Sequence, residues 1–247
     1  MDLNSYLDST YLKTPAQSGL TEEQTQQEVE KLTLEAVENR FKLVMVRPEY
    51  VKFCKELIAD KPYQPLVGTV IGFHEGTASL ESKLKEAQKA IEDGVDELDY
   101  VVNYQSFIND DTLLVKEEII QGTRLGLKNH KVVKWIIEVA ALTNEQIANI
   151  TKLVRNAVVS NFGAKEAQNV FVKSSTGFYP TEEGKPNGAT FEAIQIMKEN
   201  AGPLPIKAAG GVRSYEDAVK MIELGVTRIG TSSALSLMQK KSSEGSY

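Results

Sequence analysis

The sequence predicts an α/β fold, a single-domain TIM (β/α)8 barrel, on three observations. First, a chain of 247 residues with 41% hydrophobic and 25% charged side chains suits one domain of this size. Second, eight short apolar runs alternate with eight helical patterns at nearly regular spacing. Third, most of these runs are continuously apolar, as in parallel strands that are covered on both faces. A doubly wound open sheet is the alternative, but no Gly-x-Gly-x-x-Gly turn follows the first strand.

The predicted strands share β-type apolar stretches that end in polar or glycine residues. In chain order they are 5–13, 42–46, 66–73, 97–103, 132–140, 170–173, 205–209 and 228–230. The first is the least regular and carries Asp8 and Thr10. The sixth reads Val-Phe-Val-Lys, so that Phe171 and Lys173 share one face.

A helix is predicted after each strand, at 21–39, 48–59, 80–93, 112–127, 143–160, 190–200, 214–225 and from 232 onward. Capping boxes mark three of the helix starts, at Thr21–Gln24, Thr143–Gln146 and Ser214–Asp217. Pro48 suits the first turn of a helix. Residues 1–239 are therefore expected to form the barrel, and the polar segment 240–247 a flexible tail.

Composition excludes several classes of protein. A net charge of −6 with a pI near 5.2 argues against a nucleic-acid or membrane surface. A single cysteine, Cys54, cannot form an intrachain disulfide and fits the cytoplasm. We expect no metal and no cofactor, because His74 and His130 are far apart and no His or Cys cluster has metal-ligand spacing.

Two lysines near strand ends are the candidate catalytic residues. Lys173 and Lys207 fall where barrels place their active sites, at the carboxyl ends of strands. A lysine on an edge strand is the alternative for Lys173. A carboxylate facing inward at Asp99 would need a cation, and a second ammonium group would lower the pKa of its neighbour. The lysine pair therefore indicates a neutral, nucleophilic amine.

Two other features have structural as well as functional interpretations. Lys134 and Glu138 lie four residues apart on one predicted strand, and we interpret them as a buried structural pair. The turns after the last two strands are rich in small residues, Gly210, Gly211, Gly230, Ser232 and Ser233. Turns at this place in a barrel commonly bind phosphate, although ordinary βα turns have the same composition.

Six segments of the chain carry a resemblance to a known family. They are Leu-Asp-Ser-Thr-Tyr-Leu-Lys (7–13), Val-Gly-Thr-Val-Ile-Gly-Phe (67–73), Asp-Glu-Leu-Asp-Tyr-Val-Val-Asn (96–103), Val-Lys-Ser-Ser-Thr-Gly-Phe (172–178), Lys-Ala-Ala-Gly-Gly-Val-Arg (207–213) and Arg-Ile-Gly-Thr-Ser-Ser (228–233). These segments resemble the deoxyribose-phosphate aldolase family of class I (Schiff-base) aldolases, and they span nearly the whole chain in the family's order. The chain departs from the family pattern at Arg47 and at His74.

The resemblance implies specific roles. Lys173 would form the Schiff base, Lys207 would tune it, Asp99 would relay protons with Lys207, and the final residue, Tyr247, would assist proton transfer. The implied substrate-binding residues are Asp8, Thr10, Thr176, Gly177, Gly210, Gly211, Gly230, Ser232 and Ser233.

The implied reaction is reversible cleavage of 2-deoxy-D-ribose 5-phosphate to acetaldehyde and D-glyceraldehyde 3-phosphate. The expected partner is this small sugar phosphate, with no nucleic acid and no membrane, and the chain is expected to form a homodimer. Another class I sugar-phosphate aldolase and a non-catalytic phosphate-binding barrel are the alternatives.

Overall fold

The computed structural model describes residues 2–239. Its eight strands are β1 (Leu7–Thr10), β2 (Leu43–Val46), β3 (Leu66–Ile71), β4 (Glu97–Val101), β5 (Val132–Ile136), β6 (Val170–Lys173), β7 (Ile206–Ala209) and β8 (Arg228–Thr231). Each strand pairs in parallel with the next along the chain, and β8 pairs with β1, so the sheet closes into a barrel. The predicted TIM barrel is confirmed.

The helices over these residues are α1 (Pro15–Ser18), α2 (Glu22–Glu38), α3 (Val51–Ile58), α4 (Leu80–Glu92), α5 (Tyr104–Ile108), α6 (Thr112–Lys128), α7 (Asn144–Glu166), α8 (Phe191–Asn200), α9 (Tyr215–Glu223) and α10 (Ala234–Met238). The predicted capping boxes form at Thr21 and Thr143, whose hydroxyls accept hydrogen bonds from the backbone N–H of Gln24 in α2 and of Gln146 in α7. The short helices α1 and α5 were not predicted, because four or five residues show no period.

The main apolar core lies between the strands and the helices. Trp135 and Tyr100 stack there at 4.8 Å between ring centroids, and both are almost completely buried. Gly122 on α6 leaves room for them, since a Cβ at that position would lie 2.8 Å from the indole of Trp135. Burial of each large apolar side chain contributes about 1.5–3 kcal/mol. Because alternate residues point the other way, the barrel interior receives the polar residues of the same strands.

Four strands, β1, β3, β4 and β5, end earlier than predicted, and this changes one assignment. β3 ends at Ile71, before a left-handed Gly72 with φ of 64°. β5 ends at Ile136, and Glu138 beyond it has a left-handed φ of 56°. Glu138 therefore does not share a strand face with Lys134, and the predicted Lys134–Glu138 pair is wrong. Within the described range, no helix has the length and apolar character that a membrane crossing requires.

Candidate active site

Lys173 lies inside the barrel at the carboxyl end of β6. The strand directs Val170 and Val172 outward into the main core, so Lys173 points inward and is 3% exposed. Its register partner on β7 is Lys207, which is fully buried. A closed barrel has no edge strand, so the alternative of an edge lysine is wrong.

Asp99 on β4 joins the lysines. Its Oδ2 accepts hydrogen bonds from the Nζ of Lys173 at 2.9 Å and from the Nζ of Lys207 at 3.0 Å. Its Oδ1 accepts one from the Nζ of Lys134 at 2.5 Å. Complete burial alone would raise the pKa of Asp99, but the three ammonium groups hold it well below its usual range. Asp99 is therefore a stable anion that orders three amines.

The pKa of Lys173 is lowered to about 8. Burial is the largest cause, because a desolvated ammonium ion is unfavourable. The charge of Asp99 opposes this effect, while Lys207 and Lys134 add to it. Desolvation of Lys173 and the neighbouring lysine were both expected to lower this pKa, and desolvation contributes more. A neutral amine is thus accessible close to pH 7.

Asp8 contacts Lys207, and Thr10 contacts Asp8. The Asp8 carboxylate is 2.6 Å from the Nζ of Lys207 and accepts a 2.7 Å hydrogen bond from Nε of Arg228. The Thr10 hydroxyl donates to the carbonyl of Asp8 at 2.9 Å. Both residues are buried on β1. Asp8 therefore supports Lys207, and the substrate contacts that the resemblance implied for Asp8 and Thr10 stay predictions.

Three residues of this network were missed as functional from sequence. Glu97, Lys134 and Arg228 are each at most 5% exposed and pair with one another inside the barrel. Alternation along the strands contained the signal, because Glu97 lies two residues before Asp99 and therefore on the same inward face. Arg228 lies likewise two residues before Gly230. Lys134 was assigned to Glu138, although its partners come from β4.

Glu138 instead holds the loop that follows Lys173. Ser175 Oγ is within hydrogen-bonding distance of its Oε1, at 2.9 Å. The backbone N–H of Thr176 donates to Oε2 at 3.2 Å, and the Thr176 hydroxyl donates to the same oxygen. Burial raises the pKa of Glu138, and these hydrogen bonds oppose that rise. Gly177 follows, with its N–H donated to Ser175 Oγ at 2.9 Å.

The loops after β6 and β7 meet through glycines. Gly210 has a φ of 75°, and a Cβ there would lie 2.9 Å from Cα of Gly188 and 3.4 Å from Cα of Gly177. Gly211 has a φ of 81° but more space, with Ala189 O 3.6 Å from an added Cβ. The backbones approach so closely that only glycine fits at Gly210. Gly177, Gly210 and Gly211 are thus neighbours at the barrel mouth.

The predicted site residues Gly230, Ser232 and Ser233 lie in two places, within β8 and in the turn after it. Gly230 lies within the strand beside Lys207, where an added Cβ would be 3.1 Å from the Cε of that lysine. The absence of a side chain at Gly230 leaves space for Lys207. Ser232 is exposed and Ser233 half-buried in the following turn, where the Ser233 N–H donates to Thr231 Oγ1 at 3.1 Å.

The two departures from the family pattern, Arg47 and His74, join one cluster at the mouth. The Arg47 guanidinium lies 5.4 Å from the ring centroid of Phe73, and its Nε donates to the carbonyl of Leu12 at 2.7 Å. His74 stacks on Phe178 at 5.7 Å between ring centroids, and Phe178 also meets Phe73 edge-on at 5.1 Å. The loop after β6 therefore reaches the loop after β3.

Tyr247 lies outside the described residues. Among residues 2–239, no three or more His, Cys, Asp or Glu side chains are grouped so that they could hold a metal ion.

No family model matches the chain. It is 39% identical over 242 residues to the deoxyribose-phosphate aldolase of Caldicellulosiruptor saccharolyticus, across 97% of this chain and 98% of that protein. It is also 39% identical over 240 residues to the deoxyribose-phosphate aldolase of Thermococcus gammatolerans, across 97% and 96%. The solved tetrameric deoxyribose phosphate aldolase of Aeropyrum pernix superposes with a TM-score of 0.76 at 30% identity, covering 96% of this chain and 89% of that one.

Proposed function

Because this chain belongs to the deoxyribose-phosphate aldolase family, we propose that it reversibly cleaves 2-deoxy-D-ribose 5-phosphate to acetaldehyde and D-glyceraldehyde 3-phosphate through a Schiff base on Lys173. The observation that supports this role most directly is the buried Lys173 amine, which has a pKa near 8 and is held 2.9 Å from Asp99. Membership of the family supports the assignment of the substrate, and the geometry of the site supports the Schiff-base chemistry.

The first step forms the covalent intermediate. The neutral Nζ of Lys173 attacks the C1 aldehyde of the open-chain sugar and forms a carbinolamine, which loses water to give an iminium ion. The departing hydroxyl needs a proton, and the Lys207 ammonium, ordered by Asp99, is the donor that we assign. Asp99 itself is a weak base, because its pKa is held so low.

The iminium ion then acts as an electron sink. A base removes the proton from the C3 hydroxyl, the C2–C3 bond breaks, and its electron pair moves to the iminium, which leaves an enamine on Lys173 and frees D-glyceraldehyde 3-phosphate. Protonation of the enamine at C2, followed by hydrolysis, releases acetaldehyde and returns the neutral amine. Tyr247 is our proposed proton carrier for C2, and its deletion should slow exchange of that proton more than Schiff-base formation.

We place the substrate phosphate beside Gly210, Gly211, Ser232 and Ser233, at the mouth above β7 and β8. Gly211 also borders a surface depression of about 480 Å³ that is shared with Lys185 and Arg213, as well as with Glu182 and Glu183. Ser232→Asp should raise KM for the phosphorylated sugar by charge repulsion. The unphosphorylated sugar is the control: an equal effect on it would indicate damage to packing.

The remaining assignments are proposals that rest on the family. We propose that residues 1–239 form the catalytic barrel with 240–247 as its tail, and that the enzyme is cytoplasmic and needs no cofactor. We also propose that it forms a homodimer. Sedimentation of the purified chain tests the last point, and a monomer would contradict it.

Trapping of the intermediate tests the proposed function. Borohydride reduction in the presence of acetaldehyde should add one ethyl group to the protein, and peptide mapping should locate it on Lys173. Lys173→Met should remain unmodified under the same conditions. An adduct confined to Lys207 would reverse the two roles. Release of dihydroxyacetone phosphate from a sugar phosphate would indicate a different class I aldolase.

A further inference from the structure

Six buried charged side chains form a closed ring inside the barrel, in which cations and anions alternate. In order around the ring they are Lys134, Glu97, Arg228, Asp8, Lys207 and Asp99. Each cation contacts two carboxylates of the ring, and each carboxylate contacts two cations of the ring. The members come from five strands, so only closure of the barrel can bring them together.

The part of the ring that does not contact Lys173 is held by a bidentate arginine–carboxylate pair. Arg228 donates to both carboxylate oxygens of Glu97 at 3.0 Å each, a bidentate pair, and to Asp8 at 2.7 Å. The other carboxylate contact of Glu97 is with the Nζ of Lys134, at 2.5 Å. Arginine does not lose its proton in proteins, so Arg228 contributes a permanent positive charge.

The ring itself has no surplus negative charge for Lys173, and Glu138, a buried carboxylate outside the ring that also interacts with Lys173, already accepts hydrogen bonds from the loop after β6. Three cations cancel three carboxylates, and the described ion pairs of Lys173 comprise a single contact, with Asp99, which already serves two ring lysines. A proton on Lys173 would therefore add an uncompensated charge to a desolvated interior. Resting on the function proposed above, we propose that the ring favours the neutral form of Lys173 by charge balance, with Glu97 and Arg228 as positioning residues that act through Lys134, Asp8 and Lys207.

The same balance acts on the intermediate. Once Lys173 is an iminium ion and Lys207 has regained the proton that it donated, the interior carries one excess positive charge at the reacting nitrogen. That charge makes the iminium a stronger electron sink, because neither Glu97 nor Asp8 is free to neutralise it. The substrate phosphate at the mouth is the nearest anion that arrives with the reaction.

Charge-changing variants of the remote pair test the proposal. Glu97→Gln removes a negative charge and should lower the apparent pKa of Lys173 by about one unit, whereas Arg228→Met removes a positive charge and should raise it by about one unit. The double variant restores the balance and should return the pKa close to the wild-type value. Glu97→Asp keeps the charge and should leave the pKa nearly unchanged.

The readout is the rate at which acetaldehyde and cyanoborohydride alkylate Lys173 as a function of pH, followed by peptide mass spectrometry in all four variants and wild type. Identical midpoints in the wild type, Glu97→Gln and Arg228→Met would overturn the proposal, as would an equal shift in Glu97→Asp and Glu97→Gln. If Arg228→Met fails to fold, Glu97→Gln, Glu97→Asp and the double variant decide the question. Absence of any adduct on Lys173 in the wild type would instead refute the proposed function.

Discussion

Replacing Lys173 with methionine should stabilise the protein while abolishing Schiff-base formation. Methionine has a similar length and no charge, and Asp99 keeps its contacts with Lys134 and Lys207 after the change. The cost that the substitution removes is the burial of an ammonium group. We therefore expect the catalytic lysine to lower the stability of the folded protein.

The magnitude and its pH window follow from the pKa of Lys173. This pKa is about 8 in the folded protein and 10.5 for an ordinary lysine, which represents the unfolded chain. Between pH 8 and 10.5 the folded protein therefore binds fewer protons than the unfolded chain. Stability contributed by this group therefore rises with pH from 8 to 10.5, and the full penalty is present below pH 8. At about 1.4 kcal/mol per unit, Lys173→Met should gain on the order of 3 kcal/mol at pH 7.

Urea denaturation of both proteins at pH 7 and at pH 10 measures the effect. The advantage of Lys173→Met should shrink at the higher pH. Lys134→Met is the matched control: burial by itself would lower the pKa of Lys134, but the charges of Asp99 and Glu97 outweigh it and raise that pKa. Its loss should destabilise the protein by about 3–5 kcal/mol. A Lys173→Met protein that is less stable than wild type at pH 7, or an advantage independent of pH, would refute the reasoning.

Two further predictions concern the lysine pair and the glycine contact. The rate of Schiff-base formation should rise with pH, with a midpoint near 8 that reflects the pKa of Lys173, and then level off. Lys207→Met should move that midpoint upward and lower kcat by about 10²–10⁴. If the midpoint does not move in the folded variant, Lys207 does not tune Lys173. Gly210→Ala should cost about 1–3 kcal/mol, since the added Cβ meets the Gly188 backbone at 2.9 Å, whereas Gly211→Ala has space and should cost less in the same thermal melt. Equal losses in the two variants would mean that backbone strain alone accounts for the cost.

The alternation of apolar runs and helical patterns was sufficient to predict the barrel. Periodicity and capping are local properties, which is why the boxes at Thr21 and Thr143 form as predicted. The boundaries were less accurate. The strand predicted at 132–140 ends at Ile136, because the backbone turns left-handed at Glu138, and no residue pattern marked that turn.

Within the site, the sequence located the inward-facing Lys173, Lys207 and Asp99, because side-chain alternation along a strand depends only on neighbouring residues. It did not reveal which carboxylate meets which lysine. Lys134 pairs with Asp99, 35 residues away, and Arg228 with Asp8, 220 residues away. Such contacts depend on the register and closure of eight strands, which are collective properties of the packed sheet. Desolvation, the main cause of the lowered pKa of Lys173, likewise exists only once the barrel has formed around the amine.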